Sequence, residues 1–268
     1  MSLHPVSLGA AMHLAGYRAL DLPFTYIPFK VTDVAGALTG ARALGIRGLG
    51  VSMPYKQAVI PLLDALDPIA ARIGAVNTIV NDEGRLTGYN TDAEGALRAI
   101  EEDRPVASAR VVLLGAGGAA RAIAHALTTR GASVTLVNRD RDKAEAIARA
   151  TASRVATLEA ALEPSGFDVL VNATSLGMTD VDPRPPLPEA LAEAALGPSV
   201  LVMDIVYKPI ETELLRLARR SGARVIHGGR MLLHQAARQF ELYTGRAAPL
   251  DAMDDALRAT LGEPTATR

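Results

Sequence analysis

The chain has 268 residues, 49% hydrophobic and 21% charged, which suits a globular protein with room for two modest domains. Its 28 basic and 29 acidic side chains nearly cancel, which argues against a broad electrostatic footprint for nucleic acid or an anionic membrane. There is no cysteine, so disulfides and thiolate metal sites are excluded.

Met1-Ser-Leu-His-Pro lacks the charged and apolar regions of a secretory signal, and no run of about 18 apolar residues could span a bilayer. The expected location is the cytoplasm. Residues 10–20 have a helical composition, and residues 24–29 read as extended. Residues 33–44 read as a helix with Thr32 as its cap and Gly45 as its stop. Residues 46–51 read as a strand leading to Ser52-Met-Pro-Tyr-Lys56, and residues 59–66 as a helix. Residues 75–80 form the next predicted strand, 81–84 a hairpin-type turn and 85–89 the returning strand. Asn90-Thr-Asp92 then opens a helix running to Ile100. Alternation of this kind implies an α/β domain.

The charged, proline-bearing stretch 101–108 is the best candidate boundary. Beyond it, Arg110-Val-Val-Leu-Leu-Gly115-Ala-Gly117-Gly118-Ala-Ala120 reads as strand, tight turn and helix start. Gly115 and Gly117 can take backbone angles that a Cβ forbids, and Gly117 leaves room for a pyrophosphate against the main chain. The new helix would aim its unpaired N–H groups at that phosphate. A second apolar strand, residues 133–137, ends in Asn138-Arg139-Asp140, where the ribose-reading residue of a dinucleotide fold belongs. Residues 168–173, 200–206 and 224–227 are further strands. Residues 181–188 hold four prolines and read as a surface loop, while 231–243 and 250–261 read as helices.

A substrate would then lie between the two domains, outside the strand ends. Lys56, Asn77 and Asp92 each sit beside glycine or proline turns at such ends. A lone lysine is more often a solvated charge, and a lone Asp heading a helix more often a cap. Together, a Lys–Asp pair suits oxidation of a secondary alcohol, because the hydroxyl proton needs a positioned acceptor as hydride leaves the carbon. His13, His125 and His234 fall in helical patterns without a partner at ligand spacing, so no metal site is expected.

Eight segments, in order, resemble the signatures of the shikimate dehydrogenase family: Gly50-Val-Ser-Met-Pro-Tyr-Lys56, Gly74-Ala-Val-Asn-Thr78, Gly88-Tyr-Asn-Thr-Asp92, Gly115-Ala-Gly-Gly-Ala-Ala-Arg121, Asn138-Arg139, Asn172-Ala-Thr-Ser-Leu-Gly-Met178, Asp204-Ile-Val-Tyr-Lys-Pro-Ile-Glu211 and Gln235-Ala236. Residues 42–48, 52–54, 77–82 and 239–244 look closer to its divergent, shikimate dehydrogenase-like branch.

The resemblance implies two α/β domains. The first is a substrate-binding catalytic domain, residues 1–103, completed by C-terminal helices at 231–268. The second is a Rossmann-type, doubly wound NADP-binding domain, residues 104–230. It implies reversible, NADP-linked reduction of 3-dehydroshikimate to shikimate. Lys56 and Asp92 would be the catalytic pair, and Ser7, Ser52, Asn77, Tyr207 and Gln235 would bind substrate. Gly115, Gly117, Gly118 and Ala119 would cradle the pyrophosphate, Asn138 and Arg139 would read the adenosine ribose, and Thr174 and Met203 would line the cofactor side.

Three positions depart from the family pattern: Gly9 where a carboxylate-binding hydroxyl is usual, Gly50 ahead of Val-Ser52, and Arg230 where a glycine usually packs beside the nicotinamide. They leave open quinate or an amino-shikimate as substrate, or a non-catalytic ligand-binding regulator. Arg139 offers a fork for a 2′-phosphate while Asp140 could repel it, so NADP is expected with NAD as the alternative. The implied partner is a cyclic polyhydroxy carboxylate, with no nucleic acid or membrane, bound by a monomer or homodimer.

Overall fold

The computed structural model describes Met1 and residues 8–262 of the chain. Their contacts divide into two units: the described part of Met1–Gly95 with Leu232–Arg268, and Ala96–Met231. Helices α1 (Leu8–Ala19) and α2 (Val34–Ala43) come first. Asp33, not Thr32, caps α2, its carboxylate accepting from Gly36 N at 2.9 Å. A carboxylate at a helix start also meets the positive end of the dipole. Residues 24–29 join no ladder among the described residues.

β1 (Gly48–Gly50), β2 (Ala65–Leu66), β3 (Thr78–Asp82) and β4 (Arg85–Tyr89) make a mixed sheet in the order β1-β3-β4-β2. The helix expected over 59–66 does not form; a 3-10 turn at Ile60–Leu62 gives way to β2. Pro61 has no amide to donate to a helix, and Asp64 N donates to Leu86 O at 3.0 Å, drawing the chain onto β4. The expected turn at 81–84 tightens to Glu83-Gly84, both at positive φ, because Asn81 and Asp82 pair with Leu86 and Arg85. α3 (Pro68–Ile73) is not among the predicted elements, although Asp67 caps it, Pro68 begins it and Gly74 ends it. α4 (Thr91–Glu101) follows β4.

In the second unit, six parallel strands take the order β10-β9-β8-β5-β6-β7. Along the chain these are β5 (Arg110–Leu114), α5 (Gly118–Thr129), β6 (Ser133–Val137), α6 (Arg141–Thr151), β7 (Arg154–Val155), α7 (Leu158–Ala161), β8 (Val169–Asn172), α8 (Glu189–Ala195), β9 (Leu201–Asp204), α9 (Glu213–Arg220) and β10 (Arg224–Ile226). The chain runs outward from β5 through β6 and β7, then returns to start again at β8. That is the doubly wound order, and its switch point lies between β5 and β8.

The pleat explains why both faces are covered. Val111 and Leu113 join a core with Ile123, Leu127 and Ile147, while Val112 and Leu114 join a second core with Leu214, Leu217 and Ala192. The first of these cores also takes Ala96, Leu97, Ala99 and Ile100 from α4. The division between units therefore falls inside that helix rather than in 101–108.

α10 (Gly228–Thr244) and α11 (Leu250–Leu261) close the chain. Leu233, Ala236, Phe240, Met253 and Leu257 pack with Met12 and Tyr17 of α1. Among the described residues no helix is long and apolar enough to cross a membrane.

Candidate active site

Lys56 lies in the turn after β1, anchored by Val76 N donating to its carbonyl at 2.8 Å. Its Nζ donates to Asp92 Oδ2 at 2.6 Å, with the two side chains 25% and 14% exposed. Asp92 stands in the first turn of α4, where a carboxylate would ordinarily cap. Here Asn90 does the capping, its Oδ1 accepting from Asp92 N at 3.1 Å and Ala93 N at 3.4 Å. The Asp92 side chain is thereby released from the helix end and available to Lys56.

Asn77 sits just ahead of β3 and is 2% exposed. Its Oδ1 accepts from Thr91 N and from Thr78 Oγ1, each at 2.8 Å. That leaves Nδ2 to donate toward Asp92 Oδ1 at 2.9 Å, Thr91 Oγ1 at 3.0 Å and Gln235 Oε1 at 3.1 Å. Lys56, Asp92, Asn77 and Gln235, far apart in the sequence, thus form one hydrogen-bonded cluster in the first unit. Ser52 is exposed and its amide donates to Met1 O at 3.1 Å; it makes no bond to the cluster. Ser7 lies outside the described residues. Tyr207 follows β9 in the second unit and is 37% exposed. Tyr55 packs against the first unit's core, its hydroxyl donating to Val31 O at 2.6 Å.

In the second unit the sequence-predicted residues gather at the C-terminal ends of the parallel strands. Gly115 follows β5 at φ +110, where an added Cβ would stand 2.9 Å from Ala173 O. Gly117 and Gly118 begin α5 with no side-chain cap, and an added Cβ at either meets nothing within 4 Å. Exposed amides at a helix start beside such open space fit a pyrophosphate. Ala119 is half-buried in the first turn of α5. Asn138 Nδ2 donates to Asp140 O at 2.8 Å, and Arg139 is exposed. Asp140 caps α6 and pairs with Lys143 Nζ at 2.9 Å; these bonds to Lys143 hold its carboxyl below the usual range. Its charge is engaged at α6, which weakens the objection to a 2′-phosphate beside Arg139. Thr174 lies in the turn after β8, its hydroxyl donating to Asn172 Oδ1 at 2.7 Å.

Met203 is a correction. It is 0% exposed, enclosed in the core with Ile226 and Met231, because β9 is flanked by strands on both sides and covered on both faces. It cannot line an open cofactor surface; the half-buried position at that strand end is Ile205. Arg230 donates through Nε to Glu102 Oε2 at 2.9 Å, so its charge is engaged with the end of α4. A cavity lined by Arg110, Ser133, Arg154 and Phe167 opens at the opposite, N-terminal ends of β5, β6 and β7. Among the described residues no three carboxylates or histidines gather as a metal site.

The sequence reading assigned no role to Asp204, which proves to tie the strand-end loops together. It is 0% exposed and accepts from Asn172 Nδ2 at 2.9 Å, Val206 N at 3.0 Å and Thr212 Oγ1 at 2.7 Å. Its place at the head of a quoted segment was the available signal. Burial pushes its carboxyl from 3.8 up to about 6, against the pull of those bonds. Between these values the unfolded chain is ionised while the folded one keeps its proton. The group's contribution to stability is therefore full below pH 3.8 and lost as pH rises through about 6. Asp204→Asn, which cannot ionise, is expected to gain on the wild type by up to about 3 kcal/mol between acid and neutral pH. Urea unfolding of both proteins across that range checks this, and a constant gap would refute it.

The comparisons with known proteins cover nearly the whole chain. Residues 4–79 match the family model for the shikimate dehydrogenase substrate binding domain. Residues 97–216 match the shikimate / quinate 5-dehydrogenase model, and 228–258 the shikimate 5'-dehydrogenase C-terminal domain. The shikimate dehydrogenase (NADP(+)) of Moorella thermoacetica is 46% identical, over 97% of this chain and 92% of the relative. A crystal structure of shikimate 5-dehydrogenase from Thermus thermophilus, in complex with NADP(H) and shikimate, is 38% identical with a TM-score of 0.87, covering 96% of this chain and 97% of that one. A quinate dehydrogenase from Corynebacterium glutamicum in complex with NAD is 36% identical with a TM-score of 0.84, covering 95% of each chain.

Proposed function

The chain belongs to the shikimate dehydrogenase family, and on that premise we propose that it is an NADP-dependent oxidoreductase interconverting 3-dehydroshikimate and shikimate. The observation that carries this reading is the Lys56–Asp92 pair, held at 2.6 Å beside Asn77 and Gln235. NADPH, when bound, supplies the hydride that reduces the ring carbonyl carbon. The carbonyl oxygen then needs a proton, and the Lys56 ammonium has N–H bonds beyond the one given to Asp92 with which to donate it. Lys56 regains that proton from water; in the oxidation direction the same nitrogen takes the hydroxyl proton. Asp92 holds Nζ in one place, so the proton donor does not have to be ordered at the moment of reaction.

Asn77 and Gln235 would supply amide groups for the ring hydroxyls, and Ser7, Ser52 and Tyr207 would be the hydroxyls for the remaining substrate oxygens. Gly115, Gly117, Gly118 and Ala119 would hold the pyrophosphate at the start of α5, with Thr174 flanking it. Asn138 and Arg139 would hold the adenosine ribose and its 2′-phosphate. We accordingly assign the first unit to substrate and catalysis and the second to NADP. The partner in this reading is a small molecule of the cytoplasm, bound by a monomer or homodimer.

Mixing the protein with NADPH and 3-dehydroshikimate and following nicotinamide absorbance tests the reading, and turnover is expected. No turnover with shikimate, quinate or their ketones, with either coenzyme, would refute it; calorimetric binding without turnover would favour a regulator. Arg139→Ala is expected to weaken NADPH binding about tenfold while leaving NADH nearly unchanged, since a charge-assisted fork on the 2′-phosphate is what distinguishes the two. Fluorescence titration of both coenzymes checks it; equal losses would remove Arg139 from phosphate recognition.

A further inference from the structure

In the polar interior of the first unit, one chain of hydrogen bonds runs from His13 to Asp92. His13 Nε2 lies 3.4 Å from Gln239 Oε1, and Gln239 Nε2 donates to Thr78 Oγ1 at 2.9 Å. Thr78 Oγ1 donates to Asn77 Oδ1 at 2.8 Å, Asn77 Nδ2 to Asp92 Oδ1 at 2.9 Å, and Lys56 Nζ reaches Asp92 Oδ2 from the other side at 2.6 Å. His13 and Thr78 are 0% exposed, Asn77 2% and Gln239 5%, so water offers no replacement partners.

A side-chain amide can sit in two orientations that exchange oxygen for nitrogen. Turned the wrong way, Asn77 would set its oxygen against the Asp92 carboxylate. Thr78 has one hydroxyl proton to give. Gln239 Nε2 donates to the Thr78 oxygen, and the Thr78 proton goes to Asn77 Oδ1 at 2.8 Å, nearer than the Thr91 hydroxyl at 3.3 Å. Gln239 is in turn oriented by His13, whose burial lowers its pKa to about 4 and keeps the ring neutral, with one nitrogen donating. Bonds aligned in this sense also polarise one another toward the carboxylate.

We propose that Thr78 and Gln239 are positioning residues for the reaction: acting through Asn77, and alongside the Thr91 backbone amide that also donates to Asn77 Oδ1 at 2.8 Å, they hold the amide orientation that aims its N–H groups at Asp92 and Gln235. The proposal rests on the dehydrogenase reading above. Neither residue need touch substrate.

Thr78→Val keeps the side-chain volume and removes the hydroxyl, Thr78→Ser restores it, and Gln239→Met removes the donor to Thr78. The expected result is a fall in kcat of about tenfold for Thr78→Val and Gln239→Met, an unchanged KM for NADPH, and recovery to within about twofold in Thr78→Ser. NMR of the 15N-labelled Asn77 side-chain amide reads the same change without turnover: ordered and slowly exchanging in wild type and Thr78→Ser, fast-exchanging in the other two. Should Thr78→Val fail to fold, Gln239→Met carries the same test. An active wild type whose folded variants keep full kcat overturns the positioning role and leaves the dehydrogenase reading standing. A wild type inert toward cyclic ketones overturns that reading, and the amide signal then decides the relay alone: altered in the variants, it supports it; unaltered, it overturns it.

Discussion

Lys56→Ala is expected to lower kcat about a hundredfold or more, with the coenzyme affinity unchanged. Its ammonium is the one cation bonded to the cluster of Asp92, Asn77 and Gln235 among the described residues, and no other side chain there can donate a proton to a developing alkoxide as readily. Removing it also strips Asp92 of its cationic partner, leaving only the Asn77 amide among the described side chains bonded to it, so Asp92→Asn in the same background should add little to the loss. Residues that act as a unit give strongly non-additive effects. Single-turnover measurements on the two single variants and the double variant provide the check. A Lys56→Ala enzyme of near-normal rate would remove Lys56 from the mechanism.

The second large effect separates two glycines of one turn. Gly115→Ala is expected to destabilise the protein by about 3 kcal/mol, because its positive φ strains any side chain and the new methyl meets backbone that cannot swing aside. The obstruction is the Ala173 carbonyl, 2.9 Å from the built Cβ, on the turn after β8. Gly117→Ala stands at φ −83 with nothing within 4 Å of its Cβ, so the folded protein should lose no more than about 1 kcal/mol. Its methyl instead fills the space through which a pyrophosphate would approach the backbone, and NADPH affinity should fall about tenfold or more. Thermal melts and coenzyme titrations of both variants, taken together, decide it. A Gly117→Ala protein that binds NADPH normally would remove the glycine turn from cofactor binding.

Much of this was legible along the chain because it depends on neighbours. Gly115-Ala-Gly117 read as a dinucleotide turn since strand, turn and helix start lie within one short stretch, and α11 matches its predicted bounds because its apolar period is local. Failures came where a distant strand overrode a local pattern. Residues 59–66 look helical until β4 offers Asp64 and Ala65 a ladder. α8 and α9 went unpredicted although the second face of the parallel sheet requires a cover, which they supply through Ala192, Leu214 and Leu217. Met203 matched by position in a motif, but burial between β8 and β10 decides what it can touch.

The sequence by itself determined the two-part α/β plan, the glycine turn and the residue types from which a proton-transfer pair could be drawn, because periodicity, turn chemistry and side-chain inventory are written in order along the chain. Only the tertiary structure decided that Asn90 caps α4 and so leaves Asp92 free for Lys56, that Asp140 is occupied by α6, and that His13, Gln239 and Thr78 line up behind Asn77. The physical reason is the same in each case. A polar side chain takes the partner that folding brings within about 3 Å, and that partner is set by packing between segments that sequence spacing does not relate.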